Sequence, residues 1–439
     1  LIKQDSLIKR FRLWLARTPE AGALVGFVAV FVFFSLTAEH FLELGSTVST
    51  ILTKQATSGI VAVGITILMI SGEFDLSVGS MLAVSGLTFL SLVSSNVPAP
   101  LALIIGVLVG MLLGLINGLL LVWTRIPSFI VTLGTLQAYR AIALTGLQGG
   151  KVMRYRDYFD QPPWIYFHPL VIVAICALVI LFVLWVVSRL LPGYLKSLRT
   201  ANGFGMISAV LRMIVLVGIV LIVVIMIGEL GLNQFKDLNT LVRVDFFDLL
   251  NGQLDPASGN NFRMSIVWWT LIVIIFTFLL GQTRYGNSVY ATGGNAGAAR
   301  AQGIPVDSIR VTNFVISGGL CALAGIIAVG RDQAVFPLQA QGLELEVIAA
   351  SVIGGTLLAG GYGSIIGAVL GVIITGMLST GLVLLKIPAE VFQGAIGVIL
   401  IITVVLNTSV RGQNTLFNFR LLRRPQQTPK PVSQAKEKV

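Results

Sequence analysis

Charge is scarce in this sequence. Only 11% of its 439 residues are Asp, Glu, Lys or Arg, against about 25% in an ordinary soluble domain, and that excludes a water-exposed globule of this size. Cysteine and histidine are scarcer still: Cys176 and Cys321 fall inside apolar runs, and His40 and His168 are isolated. Such dispersed thiols and imidazoles supply neither a disulfide framework nor a metal site. There is no G-x-x-x-x-G-K-S/T phosphate loop, no H-E-x-x-H and no G-x-S-x-G. Gly149-Gly150-Lys151 lacks the upstream glycine and the following hydroxyl. The chain is therefore not expected to hydrolyse ATP itself or to hold a cofactor or metal. A membrane enzyme would need a cluster of carboxylates or histidines at the interface, and the sequence has none.

What the sequence does have is hydrophobic length. Some 55% of the residues are hydrophobic, and the apolar runs exceed what a soluble core needs, which predicts an all-α polytopic membrane protein. The net charge of +11 would suggest nucleic acid in a soluble chain. Here Lys and Arg gather in the termini and a few loops, as the positive-inside rule expects, so the partner implied is membrane lipid and not nucleic acid.

A helix needs about 20 apolar residues to cross the hydrocarbon. On that ruler the predicted spans are 21–38, 57–71, 76–94, 99–122, 128–146, 169–190, 206–228, 264–281, 311–330, 346–360, 362–382 and 389–407. Several are short or broken by glycine, so the expected count is about 10–12 helices. The first span follows Lys3, Lys9, Arg10, Arg12 and Arg17 and lacks an A-x-A-like exit, so it is read as retained. The organisation predicted is a basic cytoplasmic N-terminus (1–20), a transmembrane domain (21–407) and a basic cytoplasmic tail (408–439) carrying Arg411, Arg420, Arg423, Arg424, Lys430, Lys436 and Lys438. The longest outward segment, 229–263, either covers the outer mouth or decorates it.

Two segments look alike. Ser71-Gly72-Glu73-Phe74-Asp75-Leu76-Ser77-Val78-Gly79-Ser80 and Ala359-Gly360-Gly361-Tyr362-Gly363-Ser364-Ile365-Ile366-Gly367-Ala368 share glycines and an aromatic at a constant offset. They read either as a weak internal repeat with close helix packing or as chance likeness. Asp75 opens a helix and is read as its cap. Arg140 either lines a polar path or snorkels outward. Glu344 and Glu346 are either helix-start charges at the outer face or docking points. Asn117, Gln137 and Asn313 are uncharged polar groups in apolar surroundings, suited to interhelical hydrogen bonds. Asn117, Phe129, Gln137, Arg140 and Glu346 form the candidate pathway and gate set.

Between two spans lies a small, polar, glycine-punctuated segment: Thr292-Gly293-Gly294-Asn295, then Ala298-Ala299-Arg300 and Gly303-Ile304-Pro305. The loop 282–310 that contains it is predicted at the cytoplasmic face, where a short helix could dock onto a partner.

Ser71-Gly72 and Asp75-Leu76-Ser77-Val78-Gly79-Ser80 resemble the SGGIDLSVGS signature of permease subunits of bacterial ABC sugar importers of the ribose and xylose type. The likeness continues in Pro127-Ser128-Phe129-Ile130-Val131-Thr132-Leu133, in Tyr290-Ala291 with Gly293-Gly294-Asn295 and Ala299-Arg300, and in Glu346-Val347-Ile348-Ala349-Ala350 with Gly354-Gly355-Thr356 and Leu358-Ala359-Gly360-Gly361. These motifs occur in order over most of 40–407.

The resemblance implies a type II ABC importer-like permease fold in the bacterial inner membrane. Two permease subunits, a homodimer by expectation, would form the path. Cytoplasmic ATPases would use ATP and Mg, and a periplasmic or lipid-anchored binding protein would deliver the solute. Gly293, Gly294, Asn295, Ala298, Ala299, Arg300, Gly303 and Ile304 would belong to the helix seated in the ATPase groove, and Gly72, Asp75, Ser77 and Gly79 to the family turn.

Two departures stand out. Glu73-Phe74 replaces the usual Gly-Ile, and 191–263 is longer than in ribose-type members, its span at 206–228 being more like xylose-type permeases. Alternatives are a permease of the same architecture for branched-chain amino acids, nucleosides or another small polar solute, and an ion-coupled secondary transporter. The latter would need an intramembrane carboxylate relay. A membrane-embedded transferase is a third reading, against which the missing catalytic cluster counts.

Overall fold

The computed structural model describes residues 19–200, 241–256, 259–388 and the single positions 391, 394, 397, 398 and 401. The predicted span at 206–228, most of the one at 389–407, residues 1–18 and the tail 408–439 lie outside the described residues.

The chain is an all-α polytopic membrane protein. In order, the helices are α1 (Pro19–Thr37), α2 (Ser49–Ile70), α3 (Val78–Ser94), α4 (Ala99–Thr124), α5 (Ser128–Gly146), α6 (Pro169–Thr200), α7 (Phe246–Asn251) and α8 (Met264–Gln282). They continue with α9 (Arg284–Gly294), α10 (Ala296–Ala301), α11 (Val306–Asp332), α12 (Leu343–Ile353) and α13 (Ile365–Leu384). Among the described residues five helical stretches are long and apolar enough to cross a membrane: Leu44–Ile70, Ala99–Thr124, Met264–Gln282, Val306–Asp332 and Ile365–Leu384. Shorter apolar helices are Gly22–Thr37, Val78–Ser94 and Ala177–Arg189.

Several predicted boundaries move, for physical reasons. The span expected at 57–71 starts at Ser49, because Thr50, Thr53, Lys54 and Gln55 continue the helix despite their polarity. The span expected at 346–360 is α12, and it stops at Ile353. Gly355, Gly360 and Gly361 beyond it take positive φ of 91°, 81° and 73°, a region open to glycine and incompatible with helix continuation.

The most extensive helix contact in the bundle is α11 against α4. Gly106, Gly110, Gly114 and Gly118 recur every four residues and so share one face of α4. A Cβ at Gly110 would strike Ala322 and the Gly318 carbonyl, one at Gly114 the Phe314 carbonyl, and one at Gly118 would sit 2.9 Å from the Val311 Cα. With no side chains between them the backbones approach closely, the source of helix association where lipid removes the hydrophobic drive. Around this seam α2, α3, α11 and α12 bury Ile60, Ile67, Met81, Phe314, Ile327 and Val347 in the main core.

At one end of the bundle two small antiparallel ladders form. β1 (Met153–Arg154) pairs with β4 (Ala334–Val335), and β2 (Trp164–Phe167) pairs with β3 (Val242–Asp245). The described part of the 229–263 insertion is more than decoration. Asp245 Oδ1 accepts the Phe247 N–H at 2.8 Å to cap α7, and Phe246, Phe247 and Leu250 enter a second apolar cluster with Phe89, Tyr155 and Ile326. The Arg243 guanidinium lies 3.6 Å from the Trp164 ring centroid.

Candidate functional site

The opposite end of the bundle is built around glycines. The C-terminus of α2, the turn after it, the C-terminus of α9 and the 354–364 turn meet there without intervening side chains. Gly361 donates its N–H to the Ile70 carbonyl at 2.8 Å, and the Tyr290 hydroxyl donates to the Gly363 carbonyl at 3.0 Å. A Cβ at Gly293 would collide with the Ile70 carbonyl oxygen, and one at Gly360 would sit 2.8 Å from the Gly72 Cα. The two look-alike segments are thus direct neighbours, joined through Gly72 and Gly360.

The Gly293–Ile304 segment continues from this knot. The Thr283 hydroxyl accepts the Gly286 N–H at 3.2 Å and starts α9. Asn295 breaks the helix, and its side chain accepts the Ala298 N–H at 3.0 Å to start α10. The segment read as one helix over Gly293–Ile304 is therefore two. Gly293 and Gly294 end α9, α10 holds Ala298, Ala299 and Arg300, and Gly303 (φ 80°) turns the chain at Ile304 toward α11. Ala299 is the buried anchor, while Gly294, Asn295, Ala298, Arg300 and Gly303 are exposed. Arg300 Nη2 pairs with Asp307 at 2.6 Å, both about half exposed.

Beside this segment a cleft of about 760 Å³ is lined by Glu73, Arg125, Arg300, Asp307 and Arg310. Arg310 Nε lies 2.8 Å from Glu73 Oε1. Burial pushes the Glu73 carboxyl above its ordinary range, and the Arg310 guanidinium pulls it back. The Glu73 departure thus has a structural partner, invisible in sequence because 237 positions separate the two (310 − 73).

The family turn continues inward as a buried polar chain. Asp75 Oδ1 accepts from the Ser77 N–H at 2.8 Å and from the Ser77 hydroxyl at 2.6 Å. Asn117 Nδ2 donates to the Ser77 hydroxyl oxygen at 2.8 Å, and the Tyr139 hydroxyl approaches Asn117 Oδ1 at 3.0 Å. Asp75 therefore holds the N–H just before α3 and not one inside it. The Phe74 N–H donates to the Ser128 hydroxyl at 3.0 Å, fixing the start of α5. This network ties three helices, and Asn117→Leu is expected to cost about 1–3 kcal/mol by leaving buried groups unpaired. Thermal unfolding in detergent measures it, and an unchanged midpoint would refute the role.

The candidate pathway residues separate. Asn117 is wholly buried in this network. Glu346 lies beside Gln55 on α2. Phe129 and Gln137 lie on the exposed face of α5, and Arg140 Nη1 donates to the Gln339 carbonyl at 2.8 Å. Gly79 packs on the Ala340 carbonyl. Among residues that sequence reasoning passed over, Tyr139 carried a usable sign, a phenol inside a span with a polar residue on the preceding helix. Arg310, Gln339 and the Ile70 carbonyl carried none.

The fold is a polytopic helical bundle with two short helices, α9 and α10, set between the long α8 and α11. Residues 47–404 match the family described as branched-chain amino acid transport system / permease component, and the chain belongs to that family. It is 30% identical over 391 residues to the xylose transport system permease protein XylH of Escherichia coli (strain K12), covering 88% of this chain and 91% of that one. The probable ABC transporter permease protein YphD of the same strain is 30% identical over 390 residues, 88% and 89% of the two chains. The autoinducer 2 import system permease protein LsrC of Yersinia enterocolitica is 28% identical over 378 residues, 86% and 79%. No solved structure matches the chain.

Proposed function

We propose that this chain is the membrane-spanning permease subunit of an ATP-driven importer that carries a monosaccharide such as xylose or ribose across the inner membrane by alternating access. The names of the xylose and autoinducer 2 relatives support the solute class. The observation that carries the mechanism is the glycine knot: Gly293, at the end of α9, packs against the Ile70 carbonyl of α2, and the Tyr290 hydroxyl bonds the Gly363 carbonyl in the turn before α13. A push on α10 from a cytoplasmic ABC ATPase reaches α2 and α13 through that close backbone contact and the Tyr290 hydrogen bond. ATP and Mg are used by that partner, not by this chain. A periplasmic or lipid-anchored binding protein delivers the solute, and a second permease subunit, in a homodimer, completes the path. Both termini lie in the cytoplasm.

Arg300 separates docking from folding. An exposed ion pair is worth only about 0–1 kcal/mol, so Asp307→Ala is expected to leave stability and import nearly unchanged. Arg300→Glu reverses the charge of the docking face and is expected to abolish co-purification of the ATPase from native membranes while the permease still accumulates. Recovery of the ATPase with the Arg300→Glu chain would overturn the docking role. A chain that never co-purifies with an ATPase, and transports under an ion gradient alone, would be a secondary transporter.

A further inference from the structure

The stretch 336–342 is irregular backbone that leads from β4, in the ladders at one end of the bundle, to the start of α12. α12 has 11 residues, about 16 Å at the α-helical rise and so about half of the ~30 Å hydrocarbon. Its C-terminus lies at the glycine knot, where Gly354 packs on Gly367. Its N-terminus at Gly342 therefore opens near mid-depth. From the other side Gly79, at the start of α3, meets the Ala340 carbonyl and the Glu344 carboxylate.

Non-helical backbone survives at that depth only when protein covers it or water reaches it. This chain does not cover it: Phe336 is 43% and Leu338 61% exposed, and Gln341 is exposed beside them. The surroundings are polar. Arg140 binds the Gln339 carbonyl and feels the Glu344 charge. Gln339 Oε1 and Glu344 Oε2 are buried without a hydrogen-bond partner. α5, which supplies Gln137 and Arg140, falls outside the helices apolar enough to span. The exposed face of α4 is opposite in character, with Leu101, Ile104, Leu108, Leu112 and Ile116. That surface is apolar throughout, whereas the α5/336–344 face sets Gln137, Arg140 and Gln341 among exposed Ile130, Leu133 and Leu338.

We propose that the α5/336–344 face lines the aqueous path, and that Gln137, Arg140, Gln339, Gln341 and Glu344 form a mid-membrane station for a neutral polyhydroxylated solute. Carboxylate and carboxamide oxygens accept hydrogen bonds from its hydroxyls. Arg140 and the carboxamide nitrogens donate to its oxygens. Arg140 and Glu344 cancel in charge, which matches a neutral solute. This station rests on the permease reading above and adds to it where the solute pauses.

The test uses the whole transporter in membrane vesicles, with Cys176 and Cys321 replaced by alanine and single cysteines introduced as Leu338→Cys, Gln341→Cys or Leu108→Cys. A charged, membrane-impermeant methanethiosulfonate is expected to modify the first two and spare the third. Either D-xylose or D-ribose is expected to slow modification of Gln341→Cys. Glu344→Gln is expected to raise the KM for uptake while ATP hydrolysis persists. No modification at Leu338→Cys and Gln341→Cys overturns the path, even in vesicles that import sugar. Modification that neither sugar slows overturns the station. Modification and shielding in vesicles needing no ATPase would keep the station and sink the ATP-driven reading, so the two failures are distinguishable.

Discussion

Gly293→Val is expected to abolish solute uptake while leaving the protein in the membrane. The position is the point where three backbones touch. A valine Cβ would meet the Ile70 carbonyl oxygen, with the Gly361 nitrogen 2.6 Å away. Both are main-chain atoms and cannot rotate aside. The hydrogen bond from Gly361 to Ile70, 2.8 Å long, would have to open, detaching the 354–364 turn from α2. Overpacking of well-packed sites costs about 1–3 kcal/mol, and here it falls on the link between the docking elbow and the membrane helices. Gly294 provides the control: a Cβ there meets only the Gly361 Cα, at 4.0 Å, so Gly294→Ala is expected to be tolerated. Uptake and ATP hydrolysis measured together in vesicles read the effect. Hydrolysis retained with uptake lost is the signature of uncoupling, and normal uptake by Gly293→Val would refute the role of the knot.

The largest loss of stability is expected for Gly114→Leu. Its Cβ would enter the Phe314 carbonyl and lie 3.3 Å from the Gly318 Cα, so four side-chain carbons have no place without separating α4 from α11. Membrane helices hold together largely by such close packing and interhelical hydrogen bonds, and separation would also strain the Asn117–Ser77 bond of 2.8 Å farther along α4. The cost should exceed the about 1–3 kcal/mol typical of overpacking. Loss of a monodisperse peak in mild-detergent gel filtration is the readout, and a well-behaved Gly114→Leu protein would contradict the seam. Gly134→Leu, at a position with nothing within 4 Å, should behave like the unaltered chain.

The glycines show how far the sequence could be read. The stripe from Gly106 to Gly118 is periodic and local, so the face it forms on α4 is legible in principle. Its partner on α11 is not, since nothing local to α4 names Phe314 or Gly318 as the neighbours. The docking segment was legible as a polar, small-residue interruption between spans. Its break at Asn295 was less so, because asparagine suits both a helix end and the N-cap of the next helix, and only the backbone angles choose. Asn117 and Glu346 looked like pathway residues because they are polar in apolar runs. The fold bonds Asn117 to Ser77 and sets Glu346 beside Gln55, neighbours that no spacing along the chain encodes. The brevity of α12 was hidden for another reason: hydropathy runs on past Ile353 through residues that the glycine turn takes out of the helix.

Composition, apolar length and the order of the local motifs determined, without coordinates, that this is a helical membrane permease. Those properties follow from lipid acting as solvent along each segment separately. The tertiary structure alone decided which glycines touch, which carboxylate finds Arg310, and which carbonyl Arg140 binds. Each of these depends on segments distant in sequence meeting in space, and contacts of that kind are set by packing the whole bundle at once.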